Sequence, residues 1–226
     1  PPRRPPGPAA GTQRWRELLF VHWSFPADVV RALVPPALEL DLWRGRAWVG
    51  LVPFRMEATR TSWMPRGTGL TFLETNLRTY VHRDGAPGVY FFSLEAASWL
   101  AVRAARLVWG LPYFRAAMTS TRTGDEVAYT SRRRGAAATL DVRYQLGAAL
   151  GPSPVGTLEH FLLERYHLFA LRRGRVRHGQ VHHAPYPAQR ATVTTLTQTL
   201  TTAAGLPDDG VRETVHYAAG VEVEAV

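Results

Sequence analysis

The sequence predicts a mainly β (α+β) fold: an antiparallel β-barrel-like core with a few short helices. Three observations predict it. Runs of period-two alternation recur about ten or more times, Gly-containing turns of hairpin type join them, and only three segments carry helical signals. Hairpin-linked strands pair antiparallel. So many of them favour a barrel or a strongly curved sandwich, because closure removes exposed edges.

Residues 1–14 open with PPRRPPGPAAG and are read as a loosely ordered arm, with a single domain over 15–226. LLFVHWSF (18–25) is a strand, and Pro26 opens a short amphipathic helix to about Leu33, which Pro35 and Pro36 stop. LELDLWRGRAWVGLVPFRM reads as a hairpin about Arg44-Gly45, and TFLETNLRTYVHRDGAPGVYFFSLEAA as a second about Asp84-Gly85. Ser98 caps a helix whose Leu100, Ala104, Leu107 and Val108 share one face, with Gly110 as its stop. Strands follow at 114–121, 126–133 and 137–146. TLEHFLLERY is a third short helix, and at least four strands run from Phe169 to the end.

The chain has 226 residues, and 46 % hydrophobic content suffices for a real core. It has no cysteine, so thiolate metal sites and thiol nucleophiles are excluded. Every one of the 27 basic residues is arginine. With no lysine, a lysine Schiff base is excluded, since imine chemistry needs a primary amine. The formal net charge of +9 invites a nucleic-acid reading. The arginines are scattered, however, apart from Arg132-Arg133-Arg134 and the run from Arg172 to Arg177, which read as solvated strand ends or turns. No zinc-finger, helix-turn-helix or RNP pattern occurs, so no nucleic-acid partner is expected. No run reaches the roughly 20 apolar residues of a spanning helix, and the opening residues lack a secretory apolar stretch. A cytoplasmic protein with no membrane partner is the expectation.

The strand TFLETNLRTYVH separates two faces. Phe72, Glu74, Asn76, Arg78, Tyr80 and His82 fall on one, and Thr71, Leu73, Thr75, Leu77, Thr79 and Val81 on the other. The first face is either a solvent face or a barrel interior suited to a small polar ligand. If Glu74 is buried, its pKa should rise unless Arg78 holds it ionised. RHGQVHHAPYP carries His178, His182 and His183. In an extended strand the first two lie about 13 Å apart and the third points the other way, so no metal site is expected. His22 is read as either a cavity contact or a satisfied core histidine. Nucleophile-elbow, dinucleotide and P-loop patterns are absent, so no cofactor is expected.

The stretch LLFVHWSFPADVVRALVPPALELDLWRGRAWVGLVPFRM resembles the opening of the YqjF-like family of uncharacterised bacterial proteins, domain of unknown function 2071. ETNLRTYV, GVYFFSLEA, ARLVWGLPYFRAAM, VHHAPYP and HYAAGVEV follow in the family's order. That family is similar in fold to acetoacetate decarboxylase, which implies an acetoacetate decarboxylase-like barrel with a central cavity. The decarboxylase segment Gly-x-Pro-Lys-Lys, whose first lysine forms the imine and whose second lowers its pKa, is matched here by Gly110 to Phe114. Tyr113 and Phe114 replace both lysines. Glu74 matches a cavity glutamate of the decarboxylases.

The preferred reading is therefore a barrel that binds a small organic acid without Schiff-base decarboxylase activity. Arg78, Asn76, Phe114, Arg115 and His22 are its candidate ligand contacts, and exposed β edges leave room for a homo-oligomer. A second reading is a lysine-independent acid–base enzyme acting on a keto or hydroxy acid, with Glu74 as base and Tyr113 as proton donor. A third is a basic surface module that binds nucleic acid or anionic membrane.

Overall fold

The computed structural model describes residues 4–226 apart from 66, 109 and 173, and the side chains of 104–108 are not among those described. Its strands are β1 (Gly11–Phe25), β2 (Glu39–Leu40), β3 (Ala47–Thr61), β4 (Leu70–Arg83), β5 (Ala86–Ala96), β6 (Tyr113–Thr123), β7 (Glu126–Arg133), β8 (Thr139–Gly151), β9 (His167–Arg172), β10 (Arg175–His182), β11 (Ala188–Gln198) and β12 (Val211–Ala225). Four short helices accompany them: α1 (Ala27–Arg31), α2 (Trp99–Val108), α3 (Leu158–Leu163) and α4 (Leu200–Ala203). The mainly β, barrel-like expectation holds.

Local chemistry explains the tightest turns. Arg44 and Gly45 take φ of 51° and 75°, and Asp84 and Gly85 take 52° and 75°. Positive φ at both central residues is the twist-matched two-residue hairpin turn. The Asp84-Gly85 turn joins β4 to β5 as expected. Around Arg44-Gly45 only Trp43 and Arg46 bridge, and β2 pairs with β4 instead of β3. That expected hairpin is thus a tight turn without two flanking strands.

The helices follow their caps. The Ala101 amide donates to Ser98 Oγ at 3.3 Å, and the His160 amide to Thr157 Oγ1 at 3.3 Å. In α2, Ala101 and Val102 face the core while Leu100 is 48 % exposed, which corrects the expected face at that position. Ala104, Leu107 and Val108 lie outside the described side chains. Helix α4 escaped the sequence reading because its threonines suit a strand better than a helix. The Gln198 side chain starts it by accepting from the Thr201 amide at 3.1 Å.

All described pairings are antiparallel except two: β5 runs parallel to β6 over Leu94–Ala96 and to β9 over Gly88–Tyr90. Those junctions correct the all-antiparallel expectation, and they let β5 belong to two rings. One ring runs β5-β6-β7-β8-β11-β12-β1-β3-β4 and closes through β4 and β5. The other runs β5-β9-β10-β12-β1-β3-β4. Strands β12, β1, β3, β4 and β5 form a wall common to both.

The common wall carries packed core on both faces. One face packs Leu18, Phe20, Phe54, Tyr80, Phe91 and Phe161 in one cluster, with α3 over it. The opposite face packs Leu19, Val21, Leu51, Leu77, Tyr129 and Tyr144 against β7, β8, α1 and α4. Fully burying each such side chain contributes ~1.5–3 kcal/mol. The wall starts earlier than expected. Residues 11–14, assigned to the loose arm, are in β1 and pair with β12, and Gly11, Thr12 and Arg14 pair with β3 as well.

Candidate functional site

The β4 alternation sorts its side chains between these two faces. Leu73, Leu77 and Val81 join the filled core, whereas Glu74, Asn76 and Arg78 line a cavity of about 220 Å³ on the other side. All three polar side chains are buried. The solvent-face alternative for this strand is thereby excluded.

Tyr113 enters the cavity from the first position of β6, just after the Gly110-Leu111-Pro112 turn. Gly110 takes φ +66°, and a Cβ there would lie 2.5 Å from the Arg172 side chain, so glycine suits the position twice over. The Tyr113 hydroxyl donates to Glu74 Oε2 at 2.8 Å. From the opposite face the Tyr129 hydroxyl donates to the Glu74 carbonyl at 2.9 Å.

Burial pushes the Glu74 carboxyl up to about 8; the Tyr113 hydrogen bond opposes the rise and the nearby Glu95 charge adds to it. Arg78 does not hold it ionised. Burial, and then Glu74 itself, push the Tyr113 phenol well up. At neutral pH the pair therefore keeps both protons.

Arg78 is the unusual group. Its Nη2 donates to the Leu162 carbonyl at 3.4 Å, and its guanidinium lies 5.6 Å from the Phe20 ring centre and 5.9 Å from that of Tyr80. It has no ion pair among the described residues, and its buried Nε has no hydrogen-bond partner. The buried Asn76 Oδ1 is also without one. Arg165, on the same cavity, is matched instead: its Nη1 donates to Asp41 Oδ2 at 2.5 Å and its Nε to the Phe161 carbonyl at 2.7 Å.

Glu74, Asn76, Arg78 and Tyr113 thus converge on one space, while three other candidates do not. Phe114 points to the opposite side of β6, where its ring lies 3.9 Å from the Arg133 guanidinium. Arg115 shares the Tyr113 side of the strand but is exposed, because β6 leaves β5 after Arg115 and that side then meets solvent. His22 does not line the cavity. It lies over Gly50, where a Cβ would come within 3.1 Å of the ring, and hydrogen-bonds the Tyr80 hydroxyl at 2.8 Å. Burial and then the Arg78 charge lower its pKa, so it is a neutral core histidine.

The three histidines of the HHAPYP region part company. His178 is at the cavity edge, its Nε2 2.8 Å from Nδ1 of His167. His182 pairs across the sheet with Glu224. His183 lies between Tyr166 and Tyr186, with ring centres 4.6 and 4.7 Å away, and donates to the Ala184 carbonyl at 2.7 Å.

Sequence reasoning missed several lining residues, notably Trp15, Met56, Arg165, Arg177 and Tyr186. Trp15 has a local cause. Leu18 and Phe20 face the cavity side, yet so does odd-numbered Trp15, because β1 carries one extra residue relative to β3 between Arg16 and Val21, where Glu17 takes φ 53°, and this flips the alternation. Nothing in the sequence marks that bulge.

Residues 12–222 match the model of the DUF2071 family, described as uncharacterized conserved protein. The uncharacterized protein YqjF of Bacillus subtilis (strain 168) is 38 % identical over 208 residues, covering 91 % of this chain and 86 % of that one. Among solved structures, the enduracididine biosynthesis enzyme MppR complexed with pyruvate aligns at a TM-score of 0.65 and 12 % identity, over 96 % of this chain and 88 % of its own. An acetoacetate decarboxylase-like enzyme from Sphingomonas wittichii RW1 aligns at 0.63 and 15 % identity, over 97 % and 94 %. The acetoacetate decarboxylase of Legionella pneumophila aligns at 0.62 and 15 %, over 99 % and 92 %. At such identities these likenesses establish the fold, which is acetoacetate decarboxylase-like. By its own sequence, the chain belongs to the DUF2071 family of uncharacterized conserved proteins.

Proposed function

We propose that the cavity binds a small organic acid through Arg78. The supporting observation is a buried guanidinium that lines a cavity with no ion pair among the described residues and a partnerless Nε. A buried charge left unmatched is costly, and a ligand carboxylate would supply the missing partner with two parallel hydrogen bonds. The partnerless Asn76 Oδ1 adds an acceptor for a ligand hydroxyl or amine. MppR, which shares the fold, is complexed with pyruvate, a small carboxylate, and this supports the reading. Calorimetric titration of the wild type and Arg78→Met with carboxylic acids and their amides tests the reading. The acids should bind and the amides should not, and Arg78→Met should weaken the acids by about 30-fold or more. Equal binding of acid and amide, or by both proteins, would overturn it.

The protonated Glu74 next to Tyr113 favours a second reading, a lysine-independent acid–base enzyme in the same cavity. With its carboxyl pushed up to about 8, Glu74 would act as an acid at neutral pH and as a base only at higher pH. A panel of keto and hydroxy acids assayed with wild type, Glu74→Gln and Tyr113→Phe decides this. Turnover should be lost in Glu74→Gln and reduced in Tyr113→Phe, and equal turnover by all three would remove both roles.

A further inference from the structure

We infer that the acid bound here is a monocarboxylate with an apolar body, an alkyl or aryl acid of about seven to ten non-hydrogen atoms. This rests on the carboxylate reading of Arg78 and narrows it. The first argument is the distribution of polarity. Glu74, Asn76 and Arg78 come off one strand, with Tyr113 beside them, while the surrounding walls carry Leu18, Val52, Phe54, Met56, Phe91 and Leu94. These six side chains offer no donor or acceptor to a sugar acid or a polyhydroxylated ligand. Of the other polar lining side chains among the described residues, Gln13, Arg177, His178 and Gln180 are exposed or half-buried, and only the Tyr186 hydroxyl is added to the buried polar set beside Arg165. An apolar tail laid against the six apolar side chains releases water, and Met56, unbranched and flexible, can adjust to its shape.

The second argument is charge. Inside the cavity Arg165 is already matched by Asp41, and Glu74 is satisfied by Tyr113 with its proton retained. Among the described residues Arg78 is the buried lining cation left for the ligand, since Arg177, which also lines the cavity, is exposed, so the interior accommodates one carboxylate. A second carboxylate would have to sit against apolar wall or beside Glu74, and either position is costly. The third argument is size. A cavity of about 220 Å³ holds about seven waters at roughly 30 Å³ each, which sets the ligand at the stated number of atoms.

Titration of the wild-type protein with straight-chain acids from acetate to dodecanoate, with phenylacetate and with dicarboxylates of matching length, tests the inference. Affinity should rise about fourfold per methylene, the equivalent of ~0.8 kcal/mol per buried CH₂, and stop rising near seven to ten non-hydrogen atoms. Binding should show a negative heat-capacity change, and dicarboxylates should bind at least tenfold more weakly. Val52→Phe, which fills part of the cavity, should shift the optimum to a shorter acid. Affinity independent of chain length, or dicarboxylates binding as tightly, would overturn the apolar body and leave the carboxylate reading standing. A rise that continues unbroken to dodecanoate, or an optimum unmoved by Val52→Phe, would place binding outside the cavity and overturn it as well. Binding of no acid at all, or unchanged binding by Arg78→Met, would instead remove the carboxylate reading.

Discussion

Glu74 and Glu95 are both buried, one ladder step apart, and they face opposite sides of the wall the two rings share. In the β4–β5 ladder Glu74 faces Ala96, and Thr75 faces Glu95. Glu95 meets Arg133, whose Nε donates to it at 3.0 Å and whose guanidinium stacks on Phe114. Its side carries the second core cluster, with Thr75 and Tyr129 hydrogen-bonded at 3.3 Å beside it. Glu74 has Arg78 on its own face yet is bonded to a phenol, in a compartment that keeps open space. A carboxylate and guanidinium that neutralise each other serve the fold. A guanidinium left unpaired beside a carboxyl that is bonded elsewhere is, on the proposed reading, the group that meets a ligand.

The largest effect expected from this contrast is on the Glu95 side. Arg133→Met leaves Glu95 buried and unpaired, and should cost ~3–5 kcal/mol in urea unfolding. A loss below about 1 kcal/mol would mean that Glu95 takes up a proton at little cost and that the two sides differ less than their contacts suggest.

Next comes the pH dependence of the open side. Glu74 ionises at its ordinary value of 4.5 when unfolded and at about 8 when folded. Between those values the folded state carries one proton more, so this group's contribution makes stability fall as pH rises. The slope is about 1.4 kcal/mol per pH unit, and it vanishes below and above the window. The stability of Glu74→Gln minus that of wild type should therefore grow between pH 5 and 8. A constant difference would show that Glu74 titrates normally in the fold.

Tyr113→Phe should cost about 1 kcal/mol near neutral pH, the worth of one hydrogen bond, and should extend the Glu74 window upward by removing the bond that opposes its rise. Unchanged stability and an unchanged window would mean that the phenol and carboxyl do not interact in solution. The smallest effect on stability belongs to Arg78→Met, within about 1 kcal/mol of wild type, because removing an unmatched charge offsets the lost packing on Phe20 and Tyr80. The same substitution at positions 78 and 133 should thus separate ligand binding from folding. A loss at Arg78 as large as at Arg133 would indicate that it too is structural.

Much of this contrast is legible in TFLETNLRTYVH, because period two assigns Glu74, Asn76 and Arg78 to one side and Leu73 and Leu77 to the other without knowledge of the partners. The turns at Asp84-Gly85 and Gly110 are equally local, and Tyr113 follows from the second of them. The rest depends on distant pairings. Glu95 and Arg133 come from different strands, and neither residue's sequence neighbours indicate the other. Arg115 looks like a cavity residue until β6 is seen to leave β5 after it, and Phe114 until the start of β6 at Tyr113 sends it to the other side of the strand. Trp15 is concealed by the extra residue at Glu17, and the parallel docking of β9 on β5, which makes the second ring, has no local signature.

Membership of β12 in both rings has a consequence for how the molecule comes into being. Gly11 pairs with Ala225, so the strand that forms first during synthesis must wait for the one that forms after nearly everything else. At roughly 5–20 residues per second that wait is on the order of tens of seconds, during which one edge of β1 is without its β12 partner. The space that would receive a ligand is among the last parts of the chain to take shape.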